Sequence, residues 1–346
     1  MDFETRAIHV GQAPDAETGA VMPPIYATST FAQTRPGEHR GYDYTRSGNP
    51  GFTRLGQTLA SLEGGAFATV FGSGMAAITA VISSLRAGDR VLAEENIYGC
   101  TYRIFDRVFE KLGVGIDYVD FASPKSLQQI AARKPALVWI ESPTNPMLKI
   151  VDIEAISAAS RAVGVPVVVD NTFASPYFQR PLALGATLSL SSTTKYVNGH
   201  SDCLGGVVVT DDPVWQEKMV FAQKAVGLNP SPFDCWLISR GVKTLALRMR
   251  QHHENALAIA RKLESDARIR WVRHPFLASH PQAELARRQM SGGSGIVTLE
   301  LDADLERTIT FVSSLELFAL AESLGGIESL SDLQADLDAA LARAFR

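Results

Sequence analysis

Three short stretches of this sequence carry residue types that could perform chemistry together. Two hydroxyl residues precede Lys195: Ser192 stands three positions before it, and Thr194 stands directly before it. Asp170 ends the apolar run VPVVVD, and the glycine-rich Gly72–Met75 stands immediately before a helical pattern. Glycines let a backbone come close to a ligand, and a helix N-terminus offers free N–H groups to a phosphate. Taken singly, a lysine is usually surface and a strand-end aspartate usually a turn residue, so only the combination is informative.

The combination matches what pyridoxal 5'-phosphate (PLP) requires. This cofactor needs a cradle for its phosphate, a lysine amine that forms a Schiff base, and an acid that pairs with its protonated pyridine nitrogen. Gly72–Met75 would supply the cradle, Lys195 the amine and Asp170 the acid. These residues therefore predict a PLP site.

The composition excludes several other classes of protein. Of the 346 residues, 46% are hydrophobic and 20% are charged, which is ordinary for a globular chain. The net charge is −4 and no run of five basic residues occurs, so we expect no nucleic-acid partner. Cys100, Cys203 and Cys235 are widely spaced and form no CxxC pair. That spacing argues against disulfides and against a zinc site, and we predict no metal.

Two stretches bear on where the protein resides. The first residues, MDFETRAIHVGQ, are charged within five positions, unlike a signal peptide. Residues 68–85 form an 18-residue stretch without a charge, close to the length of a membrane span. The glycines, serines and threonines in that stretch favour a glycine loop followed by a buried helix. We therefore expect a cytoplasmic protein that does not associate with membranes.

The elements that must position these residues alternate between helix and strand. From about residue 52, apolar runs typical of buried strands separate helical patterns; they lie at 90–93, 136–140, 165–169, 188–190 and 207–209. Ala76 to Leu85 forms one helical face, and Asp152 is predicted to cap a helix that runs to about Val163. Such alternation predicts a mostly parallel sheet covered by helices, whose ligands bind beyond the carboxyl ends of the strands. Asp170 and the segment Glu141–Pro146 lie at such ends.

The chain divides into three predicted segments. Residues 1–50 lack sustained periodicity and are expected to form an extended N-terminal arm, which must lie on another surface to be ordered. Residues 51–240 are expected to form a large PLP-binding α/β domain. Residues 241–346 are expected to form a smaller α+β domain, with a long helix at 242–263, a strand at 296–301 and a last helix after the capping box Ser331–Gln334.

A set of motifs resembles those of the Cys/Met-metabolism family of PLP-dependent enzymes, which includes cystathionine γ-lyase, cystathionine γ-synthase and methionine γ-lyase. The match covers residues 1–330, and its motifs are YTRSGNP (44–50), GSGM (72–75), YGCTYR (98–103), ESPTNP (141–146), DNT (170–172), STTK (192–195), GHSD (199–202) and AESLGG (321–326). The resemblance implies the fold-type I, aminotransferase-like architecture. It also implies a homotetramer made of two tight dimers.

The resemblance also implies roles around the cofactor. Lys195 would carry the cofactor and then move protons, and Asp170 would hold the pyridine nitrogen. Tyr98 would stack on the ring and help to activate the incoming amine. The phosphate would be bound by two backbone amides and two hydroxyls, those of Gly74, Met75, Ser192 and Thr194.

Residues from outside the large domain would complete the site. The resemblance implies that Tyr44 and Arg46, on the arm, reach the phosphate in the neighbouring subunit, so that the site is shared between subunits. Asn145 and Ser323 would help to place the carboxylate of a small amino-acid substrate.

Charged residues near the distal end of the pocket bear on the substrate. Asp43 and Glu322 resemble the acids of relatives that act on cystathionine, and Arg103 could meet its distal carboxylate. Cys100 instead resembles methionine γ-lyases. We expect α,γ-elimination of cystathionine, since the segments 137–143 and 233–236 look more like the lyase branch. γ-Replacement on an O-acylhomoserine, as in cystathionine γ-synthase, and methionine γ-lyase activity remain open alternatives.

The C-terminal region departs from the family pattern. After Glu328-Ser-Leu330, relatives continue for several dozen residues that include an arginine for the substrate α-carboxylate, whereas here Leu330 joins directly to Ser331. We expect a segment to be missing between residues 330 and 331, because a true deletion would remove that arginine and preserve every cofactor residue. The alternative is a protein that binds PLP without catalysis.

Overall fold

A mostly parallel sheet forms the centre of the protein in the computed structural model, which describes residues 1–123, 125–330 and 334–345. Its seven strands lie in the order β1-β7-β6-β5-β4-β2-β3. The strands are β1 (Phe67–Phe71), β2 (Arg90–Glu94), β3 (Gly115–Val119), β4 (Leu137–Glu141), β5 (Val167–Asp170), β6 (Leu188–Ser191) and β7 (Gly206–Thr210). β7 pairs antiparallel with β1 and with β6, and the other pairs are parallel. The predicted α/β architecture is confirmed.

Thirteen α-helices occur within the described ranges. They are α1 (Phe3–His9), α2 (Pro50–Glu63), α3 (Gly74–Ile82), α4 (Gly99–Ile104), α5 (Lys125–Arg133), α6 (Ile153–Arg161), α7 (Ser175–Phe178), α8 (Pro213–Ala222), α9 (Pro232–Gly241), α10 (Leu245–Leu263), α11 (Ala283–Gln289), α12 (Leu305–Ser313) and α13 (Gln334–Ala344). Asp152 caps α6 as predicted, and its side chain accepts the N–H of Ala155 at 3.0 Å.

The central strands are apolar along their whole length because helices cover both faces of the sheet. Trp139 of β4 and Val168 of β5 face α3 and α8. Val138 and Val169 point to the opposite face, which α5 and α6 cover. Strand side chains alternate, so Glu141 and Asp170, each two residues beyond Trp139 and Val168, lie on the α3 side.

The C-terminal part has a small core of its own. β8 (Ile269–Arg273) and β9 (Thr298–Leu301) pair antiparallel. Their apolar residues pack with Leu263 at the end of α10, with Phe311 of α12 and with Leu341 of α13. The division of the chain into domains at residue 240 stays a prediction.

Several local expectations differ from the structure. The arm is not extended throughout, because α1 buries Phe3 and Ala7 against the core. α3 ends at Ile82, before Leu85, and β9 begins at Thr298 rather than at residue 296. The capping-box residues 331–333, and with them the junction at 330–331, lie outside the described residues.

The uncharged stretch at 68–85 divides into the end of β1, a glycine loop and α3. None of the described helices combines the length and the apolar character needed to cross a membrane.

The cap of α6 gives a test of this fold. Asp152 caps the helix and also pairs with Arg288, whose side chain is 61% exposed. We expect Asp152→Ala to lower the free energy of unfolding by about 1 kcal/mol, because the first turn loses its acceptor. Asp152→Asn keeps an acceptor and loses only an exposed ion pair, so it should cost no more than about 0.5 kcal/mol. Equal losses in the two variants, measured by urea unfolding, would contradict the cap.

Candidate active site

Lys195 lies in the turn that follows β6, where the chain leaves the carboxyl end of the sheet. Its side-chain Nζ donates a hydrogen bond to Ser323 Oγ at 2.7 Å, which joins the β6 turn to the C-terminal part of the chain. Burial lowers the pKa of the Lys195 amine, and the charge of Glu322 raises it. Burial therefore moves this amine towards the neutral form, the form that can attack a carbonyl or accept a proton.

Asp170 is the last residue of β5 and is 7% exposed. Its Oδ1 accepts the backbone N–H of Thr172 at 2.9 Å. Burial raises the pKa of Asp170, and hydrogen bonds from the Thr172 hydroxyl and N–H oppose that rise. Within the described ranges no lysine or arginine pairs with Asp170. A buried ionised carboxylate needs a cationic partner, and a protonated pyridine nitrogen is such a partner.

The start of α3 and the β6 turn form one concave surface. The Ser73 side chain accepts the N–H of Ala76 at 3.0 Å. The first turn of a helix has more N–H groups than this cap uses, so those of Gly74 and Met75 can serve an anion. A Cβ added at Gly74 would lie 2.9 Å from Ser192 Oγ, so only glycine leaves room between the two segments.

Thr172 connects the acid to this surface. Its Oγ1 accepts the backbone N–H of Ser192 at 2.9 Å, while its own N–H binds Asp170. The Thr194 hydroxyl, expected at the phosphate, donates to the carbonyl of Gly205 at 3.2 Å and accepts its N–H at 3.0 Å. A buried acid without a cation, a helix start with spare amides, and a half-buried lysine beyond them fit the ring nitrogen, the phosphate and the aldehyde carbon of PLP.

A second cluster contains Tyr98, Cys100, Arg103 and Glu322. Arg103 Nη1 donates to Cys100 Sγ at 3.3 Å. The pKa of Tyr98 is raised to about 12, chiefly by its hydrogen bond with Cys100 and then by burial, and Glu322 adds to the rise. Arg103 opposes it. The Tyr98 phenol therefore keeps its proton at neutral pH. Glu322 interacts electrostatically with both Tyr98 and Lys195, so it links this cluster to the lysine.

The arm residues lie elsewhere in the single chain. Arg46 stacks over the Tyr44 ring at 5.5 Å and donates to the carbonyl of Lys224 at 2.7 Å. Asp43 Oδ1 accepts the N–H of Tyr44 at 2.7 Å. Tyr44 is 43% exposed. The structure therefore joins Lys195, Ser323 and Glu322 in one group, and it joins the arm residues to one another.

Asn145 is held from behind. Its backbone N–H donates to Glu141 Oε1 at 2.8 Å, and Glu141 Oε2 accepts the N–H of Tyr98 at 2.7 Å. Sequence reasoning placed Glu141 at a strand end without giving it a role, and it gave none to Thr172. The polar run after the apolar strand ALVWI was the available signal for Glu141.

Comparison with known proteins assigns the family. The sequence profile of "Cys/Met metabolism PLP-dependent enzyme" matches residues 4–342. The chain belongs to this family. A probable cystathionine gamma-synthase of Herpetosiphon aurantiacus is 48% identical over 315 residues, which cover 91% of this chain and 99% of the relative. The cystathionine gamma-lyase of Bos taurus is 46% identical over 335 residues, which cover 96% of this chain and 83% of the relative.

Solved structures agree with this assignment. The crystal structure of cystathionine gamma synthase from Xanthomonas oryzae pv. oryzae in complex with cystathionine has a TM-score of 0.96 at 39% identity. The match covers 100% of this chain and 99% of that chain. The protein is a PLP-dependent enzyme of carbon–sulfur chemistry with the fold-type I architecture, and the non-catalytic alternative is set aside.

The close approach at Gly74 gives a direct test of the phosphate cradle. Gly74→Ala places a Cβ 2.8 Å from Ser192 Cβ, so the β6 turn must move away from the helix start. We expect PLP affinity of the cofactor-free protein to fall at least about tenfold, the equivalent of 1.4 kcal/mol. Equilibrium dialysis measures it.

Gly99→Ala is the matched control, because a Cβ at Gly99 meets nothing within 4 Å. It should leave PLP affinity within about twofold of the wild type, because the added methyl group displaces no neighbouring atom. If Gly74→Ala also binds PLP that tightly, the cradle is not at this helix start.

Proposed function

We propose that this enzyme cleaves L-cystathionine by α,γ-elimination. Water is consumed, and the products are cysteine, 2-oxobutanoate and ammonia. The observation that carries the proposal is the cluster of Glu322, Arg103 and Tyr98 next to Lys195. The carboxylate of Glu322 and the guanidinium of Arg103 suit a substrate whose distal end bears both an ammonium and a carboxylate. Methionine bears neither of those groups.

Each cofactor residue has a physical task in this proposal. Asp170 holds the pyridine nitrogen, and the amides of Gly74 and Met75 with the hydroxyls of Ser192 and Thr194 hold the phosphate. Bound PLP draws electrons away from the substrate Cα. Since Thr194 is bonded to Gly205, its hydroxyl must give up its bond to that carbonyl to donate to a phosphate.

Lys195 moves the protons in this proposal. Its Nζ would hold the cofactor and would become free once a substrate amine takes its place. The freed amine then lies beside Cα and takes the proton there, because it is positioned by the bond it has just left. Lys195 gives up this proton before it takes a second one from Cβ. The bond between Cγ and sulfur then breaks with its electron pair on sulfur, and the thiolate takes a proton from water to give cysteine. Burial, which lowers the pKa of Lys195, helps it to act as a base.

Tyr98 works with its proton on. A phenol with a pKa near 12 donates hydrogen bonds at neutral pH and does not accept a proton. In the proposal it stacks on the ring and helps to activate the incoming amine, which its O–H orients through a hydrogen bond. Asn145 and Ser323 orient the substrate α-carboxylate, and Asp43 and Glu322 receive the distal ammonium.

The site is proposed to be shared between subunits of a homotetramer built from two tight dimers. Two features of the arm support this. Tyr44 is 43% exposed, and the bonds of Arg46 run to Tyr44 and Lys224 rather than to the Lys195 group. Guanidinium pairs with phosphate through two parallel hydrogen bonds, so an arm that reaches a neighbouring subunit would add a strong phosphate ligand.

Cystathionine γ-synthase activity is the second candidate. The Herpetosiphon aurantiacus relative, at 48% identity, carries a name of that kind. The Lys195 and Asp170 arrangement serves replacement at Cγ as well as elimination, because both begin with loss of the Cα proton. The choice depends on whether water or a thiol finishes the reaction.

A parallel product assay tests the function. Cystathionine, methionine, and O-succinylhomoserine plus cysteine are supplied separately, and 2-oxobutanoate, ammonia and cystathionine are measured. We expect 2-oxobutanoate and ammonia from cystathionine at the highest kcat/KM. Lys195→Ala should lose covalently held PLP and nearly all turnover, because no other positioned amine replaces it. Faster formation of cystathionine than its cleavage would select the synthase.

The distal acids should set substrate preference. Asp43→Asn with Glu322→Gln removes both charges and keeps the side-chain shapes. We expect KM for cystathionine to rise by roughly tenfold to a hundredfold, since hydrogen bonds to charged groups contribute about 1.5–3 kcal/mol. KM for methionine should stay within about twofold, because methionine has no distal charge to lose.

Glu38→Gln is the control for this double variant, since Glu38 is an exposed arm acid paired with Arg35. Its KM for cystathionine should match that of the wild type. A double variant with unchanged cystathionine KM would refute the role of the two acids.

A further inference from the structure

We propose that Glu141 is a positioning residue whose single carboxyl group fixes both Tyr98 and Asn145. The proposal rests on the proposed function in one respect only, that Tyr98 and Asn145 contact cofactor and substrate. Glu141 has no other role in the proposed reaction.

The two oxygens of Glu141 serve two different segments of the chain. Oε2 accepts the N–H of Tyr98 at 2.7 Å, and Oε1 accepts the N–H of Asn145 at 2.8 Å. Tyr98 is the residue just before α4, and Asn145 lies in the loop between β4 and α6. Glu141 is 4% exposed, so the carboxyl reaches both segments from inside the protein.

Other bonds hold each segment nearby, such as that from the Leu148 N–H to the carbonyl of Thr144, but the N–H groups of Tyr98 and Asn145 themselves go to Glu141. A residue that precedes a helix has no N–H bond within that helix, and Asn145 lies outside strand and helix. Backbone N–H groups withdrawn from water need an acceptor, and here one carboxyl accepts two part-buried ones. A side chain with only one acceptor oxygen at position 141 cannot bind both N–H groups. Such a substitution must therefore free either Tyr98 or Asn145.

Glu141 is also the register partner of Asp170 on the neighbouring strand. The two acids lie on the same face, at the carboxyl ends of β4 and β5. Burial and the charge of Asp170 raise the pKa of Glu141 well above its ordinary range, and its two N–H donors oppose the rise. A change at Glu141 therefore alters the electrostatic field at the acid assigned to the pyridine nitrogen, and the absorption of bound PLP reports that field.

Glu94 offers a matched control on the next strand. It ends β2, which pairs with β4, and it is fully buried. It accepts the N–H of Phe121 at 2.8 Å and binds Lys149 Nζ at 2.8 Å. Glu94 also accepts the N–H of Asn96 at 3.3 Å, and Lys149 lies in the same loop as Asn145. Glu94 thus holds the same two segments at other residues and bonds neither Tyr98 nor Asn145.

The experiment compares Glu141→Gln with Glu94→Gln in the PLP-loaded enzyme. Glutamine keeps the size of glutamate but turns one acceptor into an NH₂ donor. For Glu141→Gln we expect KM to rise at least about tenfold, the equivalent of 1.4 kcal/mol. We also expect weaker PLP binding and a shifted visible absorption maximum. For Glu94→Gln we expect a lower unfolding temperature, with KM and absorption within about twofold and a few nanometres of wild type, because Glu94 bonds neither Tyr98 nor Asn145.

The proposal is overturned if Glu141→Gln keeps KM, PLP affinity and absorption at wild-type values. It is also overturned if Glu94→Gln reproduces the same three changes. Should Glu141→Gln fail to fold, Glu141→Asp is measured instead; it keeps both acceptors but is one methylene too short to reach both amides. If that variant also fails to fold, Glu141 is a residue of the fold alone and the proposal falls.

The outcome can be separated from that of the proposed function. If the wild-type enzyme turns over none of the three substrate sets, the proposed function fails. PLP affinity and absorption of the two glutamine variants then still decide the role of Glu141, because neither readout depends on turnover.

Discussion

Parallel pairing of β4, β5 and β6 is the constraint on which the site depends. Parallel strands end at the same edge of a sheet, so Glu141, Asp170 and the turn leading to Lys195 meet there although about fifty residues separate the first from the last. The register also sets the face, because Glu141 and Asp170 oppose one another. A shift of one residue in β5 would turn Asp170 to the face that α5 and α6 cover.

Burial gives these groups their chemical character. The same loss of water lowers the pKa of Lys195 and raises the pKa of Asp170, and both shifts disfavour the charged form. Within the described residues, the site thus holds a lysine whose pKa is lowered and a buried acid without a cationic partner. Both groups gain a partner when a ligand brings a cationic nitrogen to Asp170 and a carbonyl carbon to Lys195. Stability and cofactor recognition therefore draw on the same groups.

The sequence predicted the sheet and the position of its catalytic edge because both depend on local signals. VPVVV and ALVWI are apolar over their whole length, as a strand covered on both faces must be, and each is followed by polar residues. Helix boundaries within the predicted arm were harder to predict. α1 is seven residues long, and Phe3 and Ala7 are its buried residues; a single pair at helical spacing is too short a pattern to predict a helix.

Long-range hydrogen bonds lay beyond sequence reasoning for the same reason. Thr172 links Asp170 to Ser192, and Glu141 links Tyr98 to Asn145, each across a separation that only the folded sheet brings together. The residue types could be read from the motifs, but the choice of partner depends on register and on which face each strand presents.

The bond between Lys195 and Ser323 has a consequence for how the site fills. Ser323 has a backbone φ of +110°, a conformation that L residues adopt only under constraint, and the segment around it is exposed. The Lys195 amine helps to hold that segment, and the same amine is the group that the cofactor must take. Loading of the cofactor and attachment of the 322–323 segment are thus reciprocal equilibria: each weakens the other by the same factor. Once Lys195 has released it, the Ser323 hydroxyl can hydrogen-bond the substrate instead.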